Sequence, residues 1–154
     1  DAKNAEANFA MAVAMGRMAL VVGGKEKIIA VNDIKKYAEL AVLYDSSNFK
    51  PYHVLGKWHY EVSSLSGFER SAAKVFYGGL PAASFKESIR FYEKSKKIAP
   101  DFLLNYLELA KAYYKNNEKA KARQLLTTLL AMPVKVQDDV PIKEEAKQLQ
   151  KAWK

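Results

Sequence analysis

Apolar residues recur at the three- and four-residue spacing of an amphipathic helix along almost the whole chain. Gly, Pro, Asn and Asp separate the periodic stretches, and the alternation typical of strands is rare. Helices are predicted at 4–21, 29–45, 50–64, 66–77, 83–98, 102–115, 118–131 and 139–153. This pattern predicts an all-α fold.

One packing pattern occurs three times. Its clearest copy is an apolar stripe at i, i+3, i+4 and i+7, formed by Tyr106, Leu109, Ala110 and Tyr113. The same spacing is found at Tyr52, Leu55, Gly56 and His59, and in a weaker copy at Phe9, Ala12, Val13 and Gly16. Pro100 and Pro133 are 33 residues apart, which is close to the length of a tetratricopeptide (TPR) repeat, about 34 residues. The three copies therefore resemble TPR repeats, and a generic helical bundle is the alternative.

The resemblance to TPR repeats implies a right-handed α-solenoid of helix pairs in one domain, 1–154. The repeats are expected at about 5–47, 48–100 and 101–134. The second is longer because it contains an inserted helix at 66–77, which Gly78 and Gly79 end. Gly56 is expected where paired helices approach closely.

The last predicted helix, 139–153, is expected to cap the solenoid. Asp139 is the predicted N-cap and Pro141 lies in the first turn. The residues expected to cover the end of the last repeat are Ile142, Ala146, Leu149 and Trp153. Solenoids need a terminal element of this kind.

The segment from "LGKWHYEV" through the inserted helix to "GGLPAASF" resembles the TPR-like domain of the regulator of microtubule dynamics family, on its bacterial side. The resemblance covers roughly residues 5–150. It implies that another helix precedes "NAEANFAMAV". Eukaryotic members are associated with microtubules, organelle contacts and, in one branch, lipid binding, and their membrane anchors and coiled coils are absent from this sequence.

Composition narrows the class of protein further. The 154 residues are 49% hydrophobic and 27% charged, as in ordinary globular domains. The absence of cysteine excludes disulfides and thiolate metal sites, and no apolar run is long enough for a transmembrane segment. The chain begins at Asp1, so we expect a processed fragment, either from the bacterial cell envelope with its targeting segment removed or from the cytoplasm.

The net charge of +8 is compatible with several anionic partners. The lysines are scattered among glutamates on helical faces, with no basic block interleaved with aromatic residues. A solvated surface is therefore favoured over a specific nucleic-acid site.

Catalytic and metal-binding patterns are weak. His53 and His59 are six residues apart, whereas a helical metal pair prefers i, i+4. Asp138 and Asp139 are explained by helix capping, and no serine has the setting of a nucleophile. We predict no enzyme activity, no cofactor and no metal site.

The concave groove lined by the first helix of each pair is the predicted binding surface. Its expected residues are Arg17, His53, Lys57, Tyr60, Leu107, Lys111, Tyr114 and Lys115. Cations and tyrosines together suit a protein or peptide with acidic groups. The Lys/Asn clamp of chaperone-binding TPR domains is not supported, because Glu108 and Leu104 stand at the matching positions. The alternative is a carrier of an apolar ligand, such as a lipid, held between the inserted helix and the groove.

Overall fold

The computed structural model describes residues 3–153, which form eight α-helices and no β-strand. The helices are α1 (Ala5–Val21), α2 (Gly24–Tyr44), α3 (Phe49–Ser64), α4 (Gly67–Tyr77), α5 (Phe85–Ile98), α6 (Leu103–Lys115), α7 (Lys119–Ala131) and α8 (Asp139–Ala152). The all-α prediction is confirmed, and most helix ends agree with the predicted ones within two residues. The exception is the start of α2, five residues before the predicted residue 29.

Short polar side chains begin several of these helices. The side-chain oxygens of Asn4, Asn48, Ser66 and Ser84 accept hydrogen bonds from backbone N–H groups of the first turns of α1, α3, α4 and α5. Ser66 and Glu69 form a capping box at α4. Gly78 ends α4 in the left-handed conformation, with φ of 80°. The inserted helix is therefore defined at both ends by local sequence.

The helices pack mainly as α1 with α2, α3 with α5, and α6 with α7. The inserted helix α4 packs against α2 and does not separate α3 from α5. A Cβ built on Gly56 would lie 2.6 Å from the ring of Tyr92, and Ser88 Oγ donates a hydrogen bond to the Gly56 carbonyl over 2.7 Å. The predicted close approach at Gly56 is confirmed. Right-handedness and TPR-like repeat boundaries stay predictions.

Two tyrosines make the same contact in different helices. Tyr52 Oη donates to the carbonyl of Ser46 over 3.2 Å, and Tyr106 Oη donates to that of Pro100 over 2.8 Å. Each hydroxyl reaches back six residues to the chain just before its own helix. Tyr52 and Tyr106 therefore make the same local contact in α3 and α6.

Helix α8 covers α6 and α7. Ala146 is fully buried with Leu126 and Leu129, and Ile142, Leu149 and Trp153 pack around this cluster. Asp139, however, is not the N-cap: it is the first residue of α8, and its carboxylate accepts hydrogen bonds from the backbone N–H groups of Lys135 and Val136. Asp139 therefore stabilises the connection before the helix.

Candidate ligand-binding groove

Five charged side chains form an alternating row across α3, α6 and α8, which we call the charge row. Glu108 lies between two lysines, with Lys111 Nζ 2.9 Å from Oε1 and Lys57 Nζ 3.6 Å from Oε2. Lys57 also pairs with Glu61 over 3.0 Å, and Lys111 pairs with Glu145 over 2.6 Å. The structure thus brings the predicted pair Lys57 and Lys111 together, around a carboxylate of the protein itself.

The two lysines differ in how firmly they are held. The Glu108 side chain is 9% exposed and that of Lys111 is 21% exposed, whereas that of Lys57 is 52% exposed. Burial lowers the pKa of each lysine, but the neighbouring carboxylates outweigh it and raise the pKa above its ordinary value, so both stay charged. A buried carboxylate needs a cation beside it. Lys111 therefore neutralises the buried carboxylate of Glu108, whereas the more exposed ammonium group of Lys57 is accessible from solvent.

The two predicted groove tyrosines have different neighbours. Tyr60 lies edge-on to Phe85, with ring centroids 5.7 Å apart. Tyr114 stacks on Trp153 at the end of α8, with centroids 4.1 Å apart and planes 11° apart. Trp153 thus covers one face of Tyr114, whereas Tyr60 packs against Phe85 and the buried cluster around Tyr92.

The remaining predicted residues are divided between core and surface. Leu107 is 1% exposed and packs under α8, so it lies in the core and does not line an open groove as predicted. His53 is half-buried, with Nδ1 2.9 Å from Asn105 Oδ1, and burial lowers its pKa, which keeps the ring neutral at pH 7. Arg17 and Lys115 are exposed.

An apolar cavity of about 700 Å³ lies between α1, α2, α3 and α4. Its walls include Ala12, Val13, Ala19, Ile28, Val31, Ile34, Val54, Trp58, Val62, Leu65, Ala73 and Leu80. His53, Lys57 and Glu61 also line it, so the charge row and the cavity share a border. A Cβ built on Gly16, another lining residue, meets no atom within 4 Å. The cavity is therefore open at the position of this glycine.

Glu108 is the site residue that the sequence reasoning missed. Its spacing to Lys111, three residues along one helix, is a readable signal for an ion pair. Its contact with Lys57 on another helix has no such signal, because it depends on the rotation and separation of α3 and α6. The borders of the cavity were unpredictable for the same reason.

The two histidines do not form a common site. His59 stacks on Phe91, with centroids 5.4 Å apart, while His53 contacts Asn105. No cluster of three metal-ligating side chains occurs within residues 3–153. Over the same range, no helix combines the length and the apolar character needed to cross a bilayer.

Comparison with known proteins gives a consistent match. The family model "Regulator of microtubule dynamics protein 1-3" matches residues 1–154. The mouse regulator of microtubule dynamics protein 1 is 30% identical over 128 residues, which cover 82% of this chain and 42% of the mouse protein. The bovine protein of that name is 29% identical over 139 residues, covering 90% and 44%, and the Caenorhabditis elegans protein is 27% identical over 125 residues, covering 81% and 55%. The chain thus spans about half the length of these relatives.

Proposed function

This chain belongs to the regulator of microtubule dynamics protein 1-3 family, and from that premise we propose that it is a non-enzymatic, TPR-like scaffold of right-handed solenoid form. It binds a protein or peptide segment in its concave groove. The segment carries at least one carboxylate. The observation that supports this function is the charge row, in which one cation is free to exchange its partner.

The exchange occurs at Lys57. Its pair with Glu61 joins two side chains that are 52% and 59% exposed and four residues apart on α3. Such surface pairs contribute only about 0.3–0.5 kcal/mol. A carboxylate of the partner therefore replaces Glu61 at little cost, while Lys111 continues to neutralise the buried Glu108.

Site-specific photo-crosslinking in the native host tests the proposal. A benzophenone amino acid replaces Glu61 in one variant and Glu118 in the control. Glu118 also forms an ion pair with a lysine close to it in sequence, Lys121, but it lies at the start of α7 and outside the charge row, and its side chain is 34% exposed. We expect a defined protein to crosslink at position 61 and not at position 118. Adding Lys57→Gln to the first variant should reduce the yield. Identical crosslinks from both positions, or a yield unaffected by Lys57→Gln, would contradict binding at the charge row.

Microtubule-associated proteins are the first partners to examine. The relatives are named as regulators of microtubule dynamics, and this chain matches less than half of the mouse protein. Co-sedimentation of the parent and of Lys57→Gln with microtubules, in the presence and absence of microtubule-associated proteins, would show whether this domain alone binds either of them.

The cavity favours a second candidate function, a carrier of an apolar ligand such as a lipid. Its volume of about 700 Å³ lies within the range of small-molecule sites, about 300–1,000 Å³. The inserted helix α4 contributes Glu69 and Ala73 to its lining, and α3 contributes His53 and Lys57 of the predicted groove, which supports this function.

A cavity-filling substitution tests the carrier function. Gly16→Phe introduces a ring into open space, whereas the control Leu43→Phe changes a residue that is 71% exposed and outside the cavity lining. We expect acyl chains, measured by mass spectrometry of solvent extracts, to copurify with the parent and the control but not with Gly16→Phe. Their absence from the parent would contradict the carrier function and leave the crosslinking result unaffected.

A further inference from the structure

Helix α4 has an apolar face that no other part of residues 3–153 covers. Phe68, Val75 and Phe76 are 84%, 75% and 71% exposed. Their spacing of seven and eight residues places them on one side of the helix. Ala73, which is 5% exposed, lines the cavity on another side. The helix thus has one apolar side toward the cavity and a second toward solvent.

The turn between α1 and α2 adds a second exposed apolar element beside α4. Leu20 and Val21 are each 84% exposed. A Cβ built on Gly24, in the same turn, would lie 3.4 Å from the hydroxyl of Tyr77 at the end of α4. The turn and α4 are therefore neighbours. We call these exposed side chains, Leu20 and Val21 of the turn and Phe68, Val75 and Phe76 of α4, the apolar end.

Cations outnumber carboxylates around the apolar end. Residues 17–29 contain Arg17, Lys25 and Lys27 against Glu26, and α4 contains Arg70 and Lys74 against Glu69. Glu69 is occupied with the capping box of Ser66. Within the described part of the chain, Arg17, Lys25 and Lys74 form no ion pair. The surroundings are therefore positively charged.

We propose that the apolar end docks the domain on the surface of an anionic lipid bilayer, with Phe68 and Phe76 of α4 inserted at the level of the headgroups. Aromatic and aliphatic side chains on a short amphipathic helix, flanked by basic residues, are the composition that binds this interface. The cations around them attract anionic headgroups. Lysine is depleted in protein–protein interfaces, so a surface of this composition fits a bilayer better than a protein partner.

The docking does not depend on a filled cavity. Leu20 and Lys27 belong both to the cavity lining and to the region of the apolar end. Bilayer contact would therefore bring the cavity close to the lipid. Gly16→Phe, which fills the cavity, should still bind vesicles, and this separates a failure of docking from a failure of the carrier function.

Vesicle co-sedimentation tests the proposal with matched variants. The vesicles contain phosphatidylcholine alone or with about 30% phosphatidylserine. The double variant Phe68→Ser/Phe76→Ser removes two inserted rings, and Leu43→Ser is the control because Leu43 is also 71% exposed but lies on α2. We expect the parent and the control to bind the phosphatidylserine vesicles, and the double variant to bind at least roughly tenfold more weakly, because apolar transfer of both rings is lost.

A second double variant tests the contribution of the lysines to vesicle binding. Lys25→Gln/Lys74→Gln should reduce binding to phosphatidylserine vesicles and its dependence on salt between about 0.05 and 0.5 M NaCl. A parent that binds neither vesicle, or a double serine variant that binds as the parent does, would overturn the proposal. So would light scattering that shows a dimer of the parent and a monomer of the serine variant, because a second copy would then cover the apolar end.

Discussion

Replacement of Gly56 by alanine directly tests the close contact between α3 and α5. The added methyl group would lie 2.6–2.8 Å from three atoms of the Tyr92 ring. Carbon atoms prefer separations of about 3.5–4.0 Å, so the ring or the helix must move by roughly 1 Å. Tyr92 is fully buried against Leu109 and Ala112, and Asn105 Nδ2 donates a hydrogen bond to its carbonyl over 2.9 Å. The ring therefore has little room to withdraw.

A second glycine separates this clash from helix propensity. Alanine is more favourable than glycine within a helix by up to about 1 kcal/mol. At Gly16 of α1, a Cβ meets no atom within 4 Å, so Gly16→Ala should show this gain alone. The free energies of unfolding of Gly56→Ala and Gly16→Ala should then differ by the overpacking cost, about 1–3 kcal/mol. Gly56→Leu should be destabilised further.

Thermal unfolding followed by circular dichroism measures this difference. For a domain of this size, 1 kcal/mol corresponds to about 2–4 °C in Tm. We expect Gly16→Ala to melt at or above the parent temperature and Gly56→Ala at least about 2–4 °C below Gly16→Ala. Equal melting temperatures for the two alanine variants would refute the close approach of α3 and α5 at this position.

Three further predictions concern the capping helix, the charge row and a buried histidine. Removal of residues 139–154 should expose a large apolar face, and light scattering should show aggregation or differential scanning calorimetry an early transition. Lys111→Met should lower the free energy of unfolding by about 1–3 kcal/mol more than Lys57→Met in urea titrations, because it leaves the buried Glu108 poorly paired. Burial lowers the pKa of His59, so the unfolded state binds more protons below about pH 6.5 and stability should fall as the pH decreases through that range. His59→Phe should reduce this pH dependence, to which the buried His53 also contributes, and an unchanged profile would contradict a lowered pKa of His59.

Most helix positions were predictable because the relevant signals are local. The end of α4 at Gly78 and the polar caps at Asn48 and Ser84 can be read from neighbouring residues. The start of α2 could not be read from neighbouring residues in this way. Gly23 and Gly24 suggest a break in the helical pattern, and the residues that follow them are polar. There the helix begins at Gly24, with no side-chain cap.

The candidate site was predictable only in part, because it depends on contacts between helices. The repeat alignment placed Lys57 and Lys111 at equivalent positions, and the structure brings both to Glu108. The alignment could not show that Glu108 neutralises them or that Leu107 lies beneath α8. Such features depend on how each helix is rotated about its axis relative to its neighbours. The sequence of one helix does not determine that rotation.

The position of α4 beside the helix pair that it interrupts has a consequence for how the family can diversify. Because α3 and α5 contact each other directly, the segment from Leu65 to Ser84 is a connection between them, and no part of it lies between the two helices. The entropic cost of such a loop grows slowly, by about 0.6 kcal/mol for each doubling of its length. This segment can therefore be shortened, lengthened or exchanged as a unit while the remaining helices keep their arrangement. Since α4 also borders the cavity, natural variants with different insertions would change the wall of the cavity without rebuilding the other helices.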